Sequence, residues 1–142
     1  MVKRILVPTD GSAYSRRALS TALEYAKVFN AEIKLFHVVS QPPTHMYDFT
    51  IKEYYPLSEE QVAEIGANVF DSSLKELETD SIKITKKVVT GYPAAEIIHE
   101  ISEDVDLVII GTRGHRPLAG ALIGSVTQRV LAEANCPVMA IK

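Results

Sequence analysis

The chain has 142 residues, which suits one globular domain and is short for two. Hydrophobic residues make up 46% and charged residues 23%, and the net charge of −3 excludes a general attraction for nucleic acid or an anionic membrane. A single cysteine excludes an internal disulfide, and no segment approaches the ~20 apolar residues that span a bilayer. The chain begins in an apolar strand rather than a signal peptide, so we expect a cytoplasmic protein.

Short apolar segments predict five β-strands along the chain. They lie at Arg4–Pro8, Glu32–Val39, Ile82–Val89, Leu107–Ile110 and Pro137–Ile141. The first and fourth contain continuously apolar runs, which is typical of central strands in a parallel sheet that is covered on both faces.

Between these strands, apolar residues recur at helical spacing in four segments. We predict that Ser12 caps the first helix, that Ser58 and Gln61 form a capping box for the second, and that Pro93 lies in the first turn of the third. Ser125 and Gln128 offer the fourth helix another capping box. The predicted buried faces are Leu19, Ala22, Leu23, Ala26 and Phe29; Val62, Ile65, Val69, Leu74 and Leu77; Ala94, Ile97, Ile98 and Ile101; and Val126, Val130, Leu131 and Ala134.

The alternation of strands and helices predicts the α/β class, as a single domain over residues 1–142. We expect a doubly wound parallel sheet of five strands in the order 3-2-1-4-5, with helices on both faces. In such a fold a ligand binds at the carboxyl ends of strands 1 and 4, where the strand order reverses. Those ends are Pro8-Thr9-Asp10 and the segment that begins at Gly111.

The segment from Gly111 to Ser125 has the composition of an anion-binding loop. It contains four of the seven glycines, and no Asp or Glu occurs between Leu107 and Ala132, although the chain carries 18 acidic residues. Glycine permits positive φ and close backbone approach, and the N-terminus of the following helix favours negative charge. A basic, solvated loop whose glycines serve only its turns is the alternative. The P-loop and dinucleotide-binding patterns are both absent.

The spacing Gly111-x2-Gly114-x9-Gly124-Ser125 resembles the ATP-binding signature of the universal stress protein family. The opening Ile5-Leu6-Val7-Pro8-Thr9-Asp10-Gly11-Ser12, the strand Leu35-Phe36-His37-Val38-Val39 and the ending Cys136-Pro137-Val138 are similar to the same family. The resemblance covers the whole chain. It implies a regulatory protein of the stress response that binds ATP, ADP or AMP, with Mg²⁺ or Mn²⁺ carried by the nucleotide.

The resemblance also implies roles for individual residues. Val38 would meet adenine through its backbone, and Asp10 would lie near the ribose and the metal. Thr112, Arg113 and Gly114 would line the ribose and phosphates, and Gly124, Ser125 and Val126 would present N–H groups and a hydroxyl to the phosphates. The full set of candidate nucleotide-binding residues is Pro8, Thr9, Asp10, Val38, Gly111, Thr112, Arg113, Gly114, Gly124, Ser125 and Val126.

Several of these residues have simpler alternatives. Asp10 and Ser125 would each serve equally well as helix caps, and His37 is interpreted as a hydrogen-bonded core histidine rather than a ligand. The aromatic residues of the long segment 40–56 would form either a lid or ordinary packing. A slow ATPase or nucleotide-processing enzyme is the alternative function, although no dedicated base is recognisable. A phosphoacceptor domain is disfavoured, because the third strand ends without an aspartate.

The two edge strands of the predicted sheet differ in charge. Strand 3 carries Lys83, Lys86 and Lys87, whereas Pro137–Ile141 has no charged residue. Proteins usually protect open sheet edges with charge or cover. We therefore expect a homodimer that pairs through the C-terminal strand, and the resemblance implies the same.

Overall fold

A computed structural model describes residues 1–40, 56–115, 120 and 122–142. Its elements are β1 (Arg4–Pro8), α1 (Ala13–Phe29), β2 (Glu32–Ser40), α2 (Glu59–Leu74), β3 (Ile84–Gly91), α3 (Pro93–Ile101), β4 (Leu107–Gly111), α4 (Ser125–Glu133) and β5 (Val138–Ile141). The described strands form one parallel sheet in the order β3-β2-β1-β4-β5, which confirms the predicted fold. The third strand starts at Ile84, later than predicted, and ends at Gly91.

The sheet is covered on both faces because its two central strands are apolar on both sides. Ile5 and Val7 of β1 pack with α1 and α2, whereas Leu6 packs with α3 and α4 on the opposite face. All three side chains are fully buried. The alternation of side chains along β1 therefore supplies both halves of the core.

The helix starts were predicted correctly for α1 and α2 but not for α4. The Ser12 side chain caps α1, and Ser58 and Gln61 form the expected capping box of α2. At α4 the N-cap residue is Gly124, which has no side chain, and Ser125 is already inside the helix. The Gln128 side chain donates instead to the Ile123 carbonyl oxygen at 2.9 Å. The predicted Ser125 capping box is therefore wrong, and the start of α4 has no side-chain cap.

Two predicted helix faces need correction. Phe29 and Leu131 were expected in the core but are 37% and 42% exposed. In α2 the buried residues are Gly66, Phe70 and Ser73, whereas the predicted stripe from Val62 to Leu77 is half-buried, with Leu74 and Leu77 packed against the core. A side chain at Gly66 would place its Cβ 2.7 Å from the Cβ of Val88, so α2 lies directly against β3.

A buried carboxylate holds α3 against the other face of the sheet. Glu100 is 2% exposed and forms ion pairs with Lys34 of β2 and, at 2.8 Å, with Lys87 of β3. Burial tends to raise the pKa of Glu100, but the hydrogen bonds and positive charges of the two lysines outweigh it and hold the pKa below its usual range. These contacts fix the helix whose first residues line the cavity described below.

The edges of the sheet are β3 and β5, as predicted. Every residue of β5 is half-buried, because β5 is covered by helices on its faces but pairs only with β4. Within the described ranges, no helix is both long and apolar enough to cross a membrane.

Candidate functional site

A cavity of about 450 Å³ opens at the carboxyl ends of β1 and β4. It lies where the strand order reverses, as expected for this class of fold. The structure brings most of the candidate residues together in its wall, namely Pro8, Thr9, Asp10, Val38, Gly111, Arg113, Gly114, Gly124, Ser125 and Val126. Thr112 is not among the residues that line the cavity; it is buried, and its N–H donates to the Ile141 carbonyl oxygen of β5 at 2.8 Å.

Asp10 follows β1 and connects α1 to the glycine-rich loop. Its Oδ1 accepts hydrogen bonds from the Ser12 N–H at 2.9 Å and the Ser15 hydroxyl at 3.1 Å. Its Oδ2 accepts from the His115 N–H at 3.2 Å. Burial would raise the pKa of Asp10, but the hydrogen bonds from Ser12 and Ser15 and the charge of His115 outweigh it, and the pKa is lowered. The carboxylate is therefore ionised at neutral pH, with Oδ1 engaged by the fold and Oδ2 directed to the loop.

A chain of buried hydroxyl groups, from the end of β1, from α1 and from α2, supports Asp10. Ser73 of α2 lies 2.7 Å from the Thr9 hydroxyl, which is 3.0 Å from the Ser15 hydroxyl. Ser15 then donates to Asp10, and Ser73 also reaches the Val69 carbonyl oxygen at 2.7 Å. Buried polar groups are costly unless they are hydrogen-bonded, and here each hydroxyl has a partner. These hydrogen bonds explain why the polar residue Ser73 lies on the buried face of α2, which the apolar pattern of the sequence could not indicate.

The glycines of the loop differ in what they provide: Gly120 has a positive φ of 79°, whereas Gly111 and Gly114 allow close packing. A Cβ at Gly111 would lie 2.8 Å from the backbone of Tyr14, and one at Gly114 would lie 2.6 Å from Asp10 Oδ2. Neither Gly114 nor Gly124 has a positive φ, so of the two properties expected of glycine in this loop, Gly114 shows close approach and Gly124 shows neither. Gly111 and Gly114 instead let β4 and the loop approach α1 and Asp10.

The N-terminus of α4 faces the cavity without a capping group. Gly124, Ser125, Val126 and Thr127 all line the cavity, and the first turn contains no acidic residue. Within the part of the chain that the structure describes, the N–H groups of Ser125, Val126 and Thr127 have no acceptor. Such groups, together with the helix dipole, form a binding site for an anion.

Two hydrogen bonds fix this helix start against the end of β4. The Thr127 hydroxyl, which is buried, donates to the Gly111 carbonyl oxygen at 2.7 Å. The Gly124 N–H donates to the Thr112 carbonyl oxygen at 2.6 Å. Thr112 thus contributes to the site through its backbone, by holding the two ends of the loop together.

At the other end of the cavity, Val38 presents an unpaired strand edge. The last register pair between β1 and β2 is Pro8 with Phe36, and the Thr9 N–H still donates to the Phe36 carbonyl oxygen at 2.8 Å. Because strand residues direct their hydrogen-bonding groups to alternate sides, Val38 points the same way as Phe36, towards the space that β1 has left. Among the described residues, no hydrogen bond reaches the N–H or C=O of Val38 from this side. One donor and one acceptor are therefore available there.

The walls near Val38 are apolar, and the walls near α4 are polar and positive. Phe36, Ile97 and Ile110 line the first region, and all three are buried. Arg113 lines the second, and it forms no ion pair with any residue of the described ranges. The cavity can thus accept a flat apolar group at one end and a phosphate at the other.

A comparison with known protein families identifies the chain. The model of the universal stress protein family matches residues 1–142. The chain belongs to the universal stress protein family. It is 35% identical to the universal stress protein MJ0531 of Methanocaldococcus jannaschii over 144 residues, covering the whole chain and 83% of that protein. It is also 33% identical to the universal stress protein YxiE of Bacillus subtilis over 150 residues, covering both proteins completely.

Solved structures of this family share the fold. The structure of MJ0577, also from Methanocaldococcus jannaschii, superposes with a TM-score of 0.74 at 31% identity and covers the whole chain and 96% of its own. A universal stress protein solved in complex with cAMP has a TM-score of 0.66 at 23% identity, covering 99% of this chain and 96% of its own. The second comparison shows the common fold, and nucleotide binding is a property of that related protein.

A metal ion in this universal stress protein would be held mainly by the phosphate groups of a bound small molecule, and only to a small extent by the protein. The described residues contain no group of three or more His, Cys, Asp or Glu side chains that would hold a metal alone. Asp10 offers one carboxylate oxygen beside the loop, and Mg²⁺ is commonly bound by one or two carboxylates together with substrate phosphates. The residues present would therefore fit a cation shared with phosphate groups, for which Asp10 would be the protein ligand.

Several residues of the cavity wall were not singled out from the sequence. Pro93 and Ile97 were predicted as a helix start and a core residue, and both also line the cavity. His37 was expected in the core; it is half-buried, lines the cavity and is hydrogen-bonded. Ser15 carried no signal, since an isolated serine inside a helix has no distinctive pattern. The segment 40–56, for which a lid and ordinary packing were the two alternatives, lies outside the described residues except at its ends.

Proposed function

We propose that this universal stress protein is a regulatory protein that binds an adenine nucleotide, ATP or its products ADP and AMP, in the cavity between β1 and β4. The observation that carries the proposal is the pairing, within one cavity, of an uncapped helix start at Ser125 with an unpaired strand edge at Val38. The helix start suits phosphate groups, which are anionic acceptors. The strand edge supplies one donor and one acceptor next to apolar walls, and the edge of adenine offers the complementary acceptor and donor.

The charges in the cavity favour a nucleotide with its cation over a nucleotide alone. Asp10 is ionised and would repel a phosphate at ~4 Å by roughly 1–4 kcal/mol. Mg²⁺ or Mn²⁺ between the two would turn this repulsion into ligation, with Asp10 Oδ2 as a ligand. Arg113 and the N-terminus of α4 would take up the remaining phosphate charge. We therefore expect tighter ATP binding with Mg²⁺ than with EDTA.

The binding proposal is tested by identifying the resident ligand and measuring its affinity. Freshly purified protein is denatured with acid and the released small molecules are identified by mass spectrometry. Calorimetry then compares ATP, ADP, AMP and adenosine, each with Mg²⁺ and with EDTA. We expect an adenine nucleotide in the extract and an affinity that rises with the number of phosphates. A protein that releases no nucleotide and binds none of the four would contradict the proposal.

Regulation, rather than turnover, is the proposed use of the bound nucleotide. Among the described residues that line the cavity, Asp10 is the only carboxylate, and its Oδ1 is already engaged by Ser12 and Ser15, so no free carboxylate is present to activate a water for hydrolysis. Hydrogen exchange with and without Mg-ATP would reveal which surfaces change on binding. A turnover above about 1 per second, typical of ordinary enzymes, that is abolished in Asp10→Ala would favour the slow-ATPase alternative instead.

A further inference from the structure

The backbone hydrogen bonds between β1 and β2 end at the Thr9 N–H, and the next acceptor, the Thr9 carbonyl oxygen, is bonded to a side chain instead of to the backbone of β2. Thr9 donates its N–H to Phe36, as the parallel pattern requires. The next bond of that pattern would run from the Val38 N–H to the Thr9 carbonyl oxygen. The Thr9 oxygen is instead 2.7 Å from Nδ1 of His37.

The chemistry of this contact fixes the state of the imidazole. A carbonyl oxygen only accepts hydrogen bonds, so Nδ1 of His37 must carry the proton and donate. The Thr9 oxygen thereby gains a strong partner that does not come from the backbone of Val38. Buried carbonyl groups are nearly always paired, and His37 supplies that partner, so the Thr9 oxygen does not need the Val38 N–H; without His37, the Val38 N–H is the donor that the parallel register would supply in its place.

We propose that His37 is a positioning residue that sets the base specificity of the cavity by keeping the Val38 N–H free. This inference rests on the proposed function, since it concerns the base of the same nucleotide. His37 itself makes no contact with the base in this scheme. It satisfies the Thr9 carbonyl oxygen, and Val38 then offers a donor and an acceptor side by side to the ligand.

The pattern at Val38 distinguishes adenine from hypoxanthine. Adenine presents an acceptor at N1 and a donor at its 6-amino group, which match the N–H and C=O of Val38. Hypoxanthine, the base of inosine, presents a donor at N1 and an acceptor at O6, which is the reverse arrangement. A free Val38 N–H therefore favours adenosine over inosine, and a Val38 N–H engaged by Thr9 removes part of that preference.

The test compares His37→Leu with His37→Asn, using adenosine and inosine as probes in calorimetry. The amide nitrogen of Asn lies close to the position of Nδ1 and can donate to Thr9, whereas Leu cannot. Loss of one neutral hydrogen bond corresponds to a roughly threefold to tenfold change in affinity. We expect His37→Leu to bind adenosine about threefold to tenfold more weakly with inosine binding unchanged, and His37→Asn to retain the selectivity of the parent.

The outcomes separate this inference from the proposed function. If the parent binds neither ATP nor adenosine, the proposed function fails. If the parent selects adenosine and a folded His37→Leu variant selects it equally well, only the role of His37 is refuted. An equal loss for both nucleosides in His37→Leu would indicate general damage to the cavity and would also refute it.

A measurement on the unaltered protein keeps the inference testable if His37→Leu does not fold. Nitrogen-15 NMR of the nucleotide-free protein reports which imidazole nitrogen carries the proton, and hydrogen exchange reports whether the Val38 amide is protected. We expect a proton on Nδ1 of His37 and a Val38 amide that exchanges rapidly until adenosine is added. A proton on Nε2 alone, or a Val38 amide that is already protected without ligand, would overturn the proposal.

Discussion

Gly124→Asp is expected to stabilise the protein while it weakens ATP binding. Gly124 is the N-cap of α4, with φ −70° and ψ 158°, which are angles that an aspartate adopts readily. A Cβ at this position would have only ordinary contacts, the nearest being the Thr112 carbonyl oxygen at 3.5 Å. The carboxylate would accept hydrogen bonds from the free N–H groups of Val126 or Thr127. The substitution would thus fill the proposed phosphate site with the protein's own anion.

The two effects can be estimated separately. Replacing glycine stabilises the fold by about 0.4–1 kcal/mol, because the unfolded chain has less conformational entropy. The new cap and its interaction with the helix dipole each add a few tenths of a kcal/mol, so we expect the free energy of unfolding to rise by about 1 kcal/mol. This corresponds to a melting temperature higher by about 2–4 °C. For ATP, the loss of a charge-assisted hydrogen bond costs about 1.5–3 kcal/mol, and repulsion at ~5 Å adds about 3 kcal/mol at an effective dielectric constant near 20. Because ATP and its cation can shift to relieve part of these two costs, the affinity for ATP should fall by about 30-fold to 1,000-fold.

Matched variants at the same position separate capping from charge and from size. Gly124→Ser adds a neutral cap and should weaken ATP binding less than Gly124→Asp does. Gly124→Ala adds only a methyl group and should bind ATP within about threefold of the parent, because no free N–H is consumed. Calorimetry with ATP and adenosine, together with thermal unfolding without ligand, supplies the measurements. Phosphate binding at α4 is refuted if a folded Gly124→Asp protein binds ATP within threefold of the parent. It is also refuted if the substitution weakens the affinities for adenosine and for ATP by the same factor.

Three further predictions concern the supports of the site and the assembly. Ser73→Ala should lower the free energy of unfolding in urea by about 1–2 kcal/mol, because the Thr9 hydroxyl loses one of its partners and keeps only Ser15 and the Gly11 N–H. The exposed Ser72→Ala should change it by less than ~0.5 kcal/mol, and equal effects of the two substitutions would count against the buried hydroxyl chain. Glu100→Gln should cost about 1–3 kcal/mol at neutral pH. The pKa of Glu100 is lowered in the folded state, so its ionised form stabilises the protein above the unfolded pKa of ~4.3, and this stabilisation is lost as the pH falls through the folded pKa. The difference in free energy of unfolding between the parent and Glu100→Gln should therefore shrink in acid. A difference that does not change with pH would contradict this. Finally, we propose a homodimer through β5, and Met139→Pro should make it monomeric in light scattering; a monomeric parent at tens of micromolar, or a folded variant that stays dimeric, would refute that pairing.

The sequence by itself was sufficient for the sheet order and for the location of the cavity. Strand and helix periods are local properties, and the handedness rules of parallel sheets then leave few arrangements of five strands. The continuous apolar runs at Ile5–Val7 and Leu107–Ile110 marked the central strands, and the residues that follow them necessarily meet at one end of the sheet. The glycine spacing after β4 identified the loop for the same reason, since loop composition is read directly from the chain.

The detailed chemistry of the site was decided only by tertiary structure. Whether Gly114 needs a positive φ or makes room for Asp10 depends on a contact between residues that are distant in sequence. Ser73 was missed because its hydroxyl is useful only where α2 meets Thr9. The role proposed for His37 depends on β1 ending opposite Phe36, so that the Thr9 carbonyl oxygen is left within reach of its ring. A periodic pattern reports which face of an element is buried, but hydrogen bonds between elements depend on positions that only the packed fold fixes.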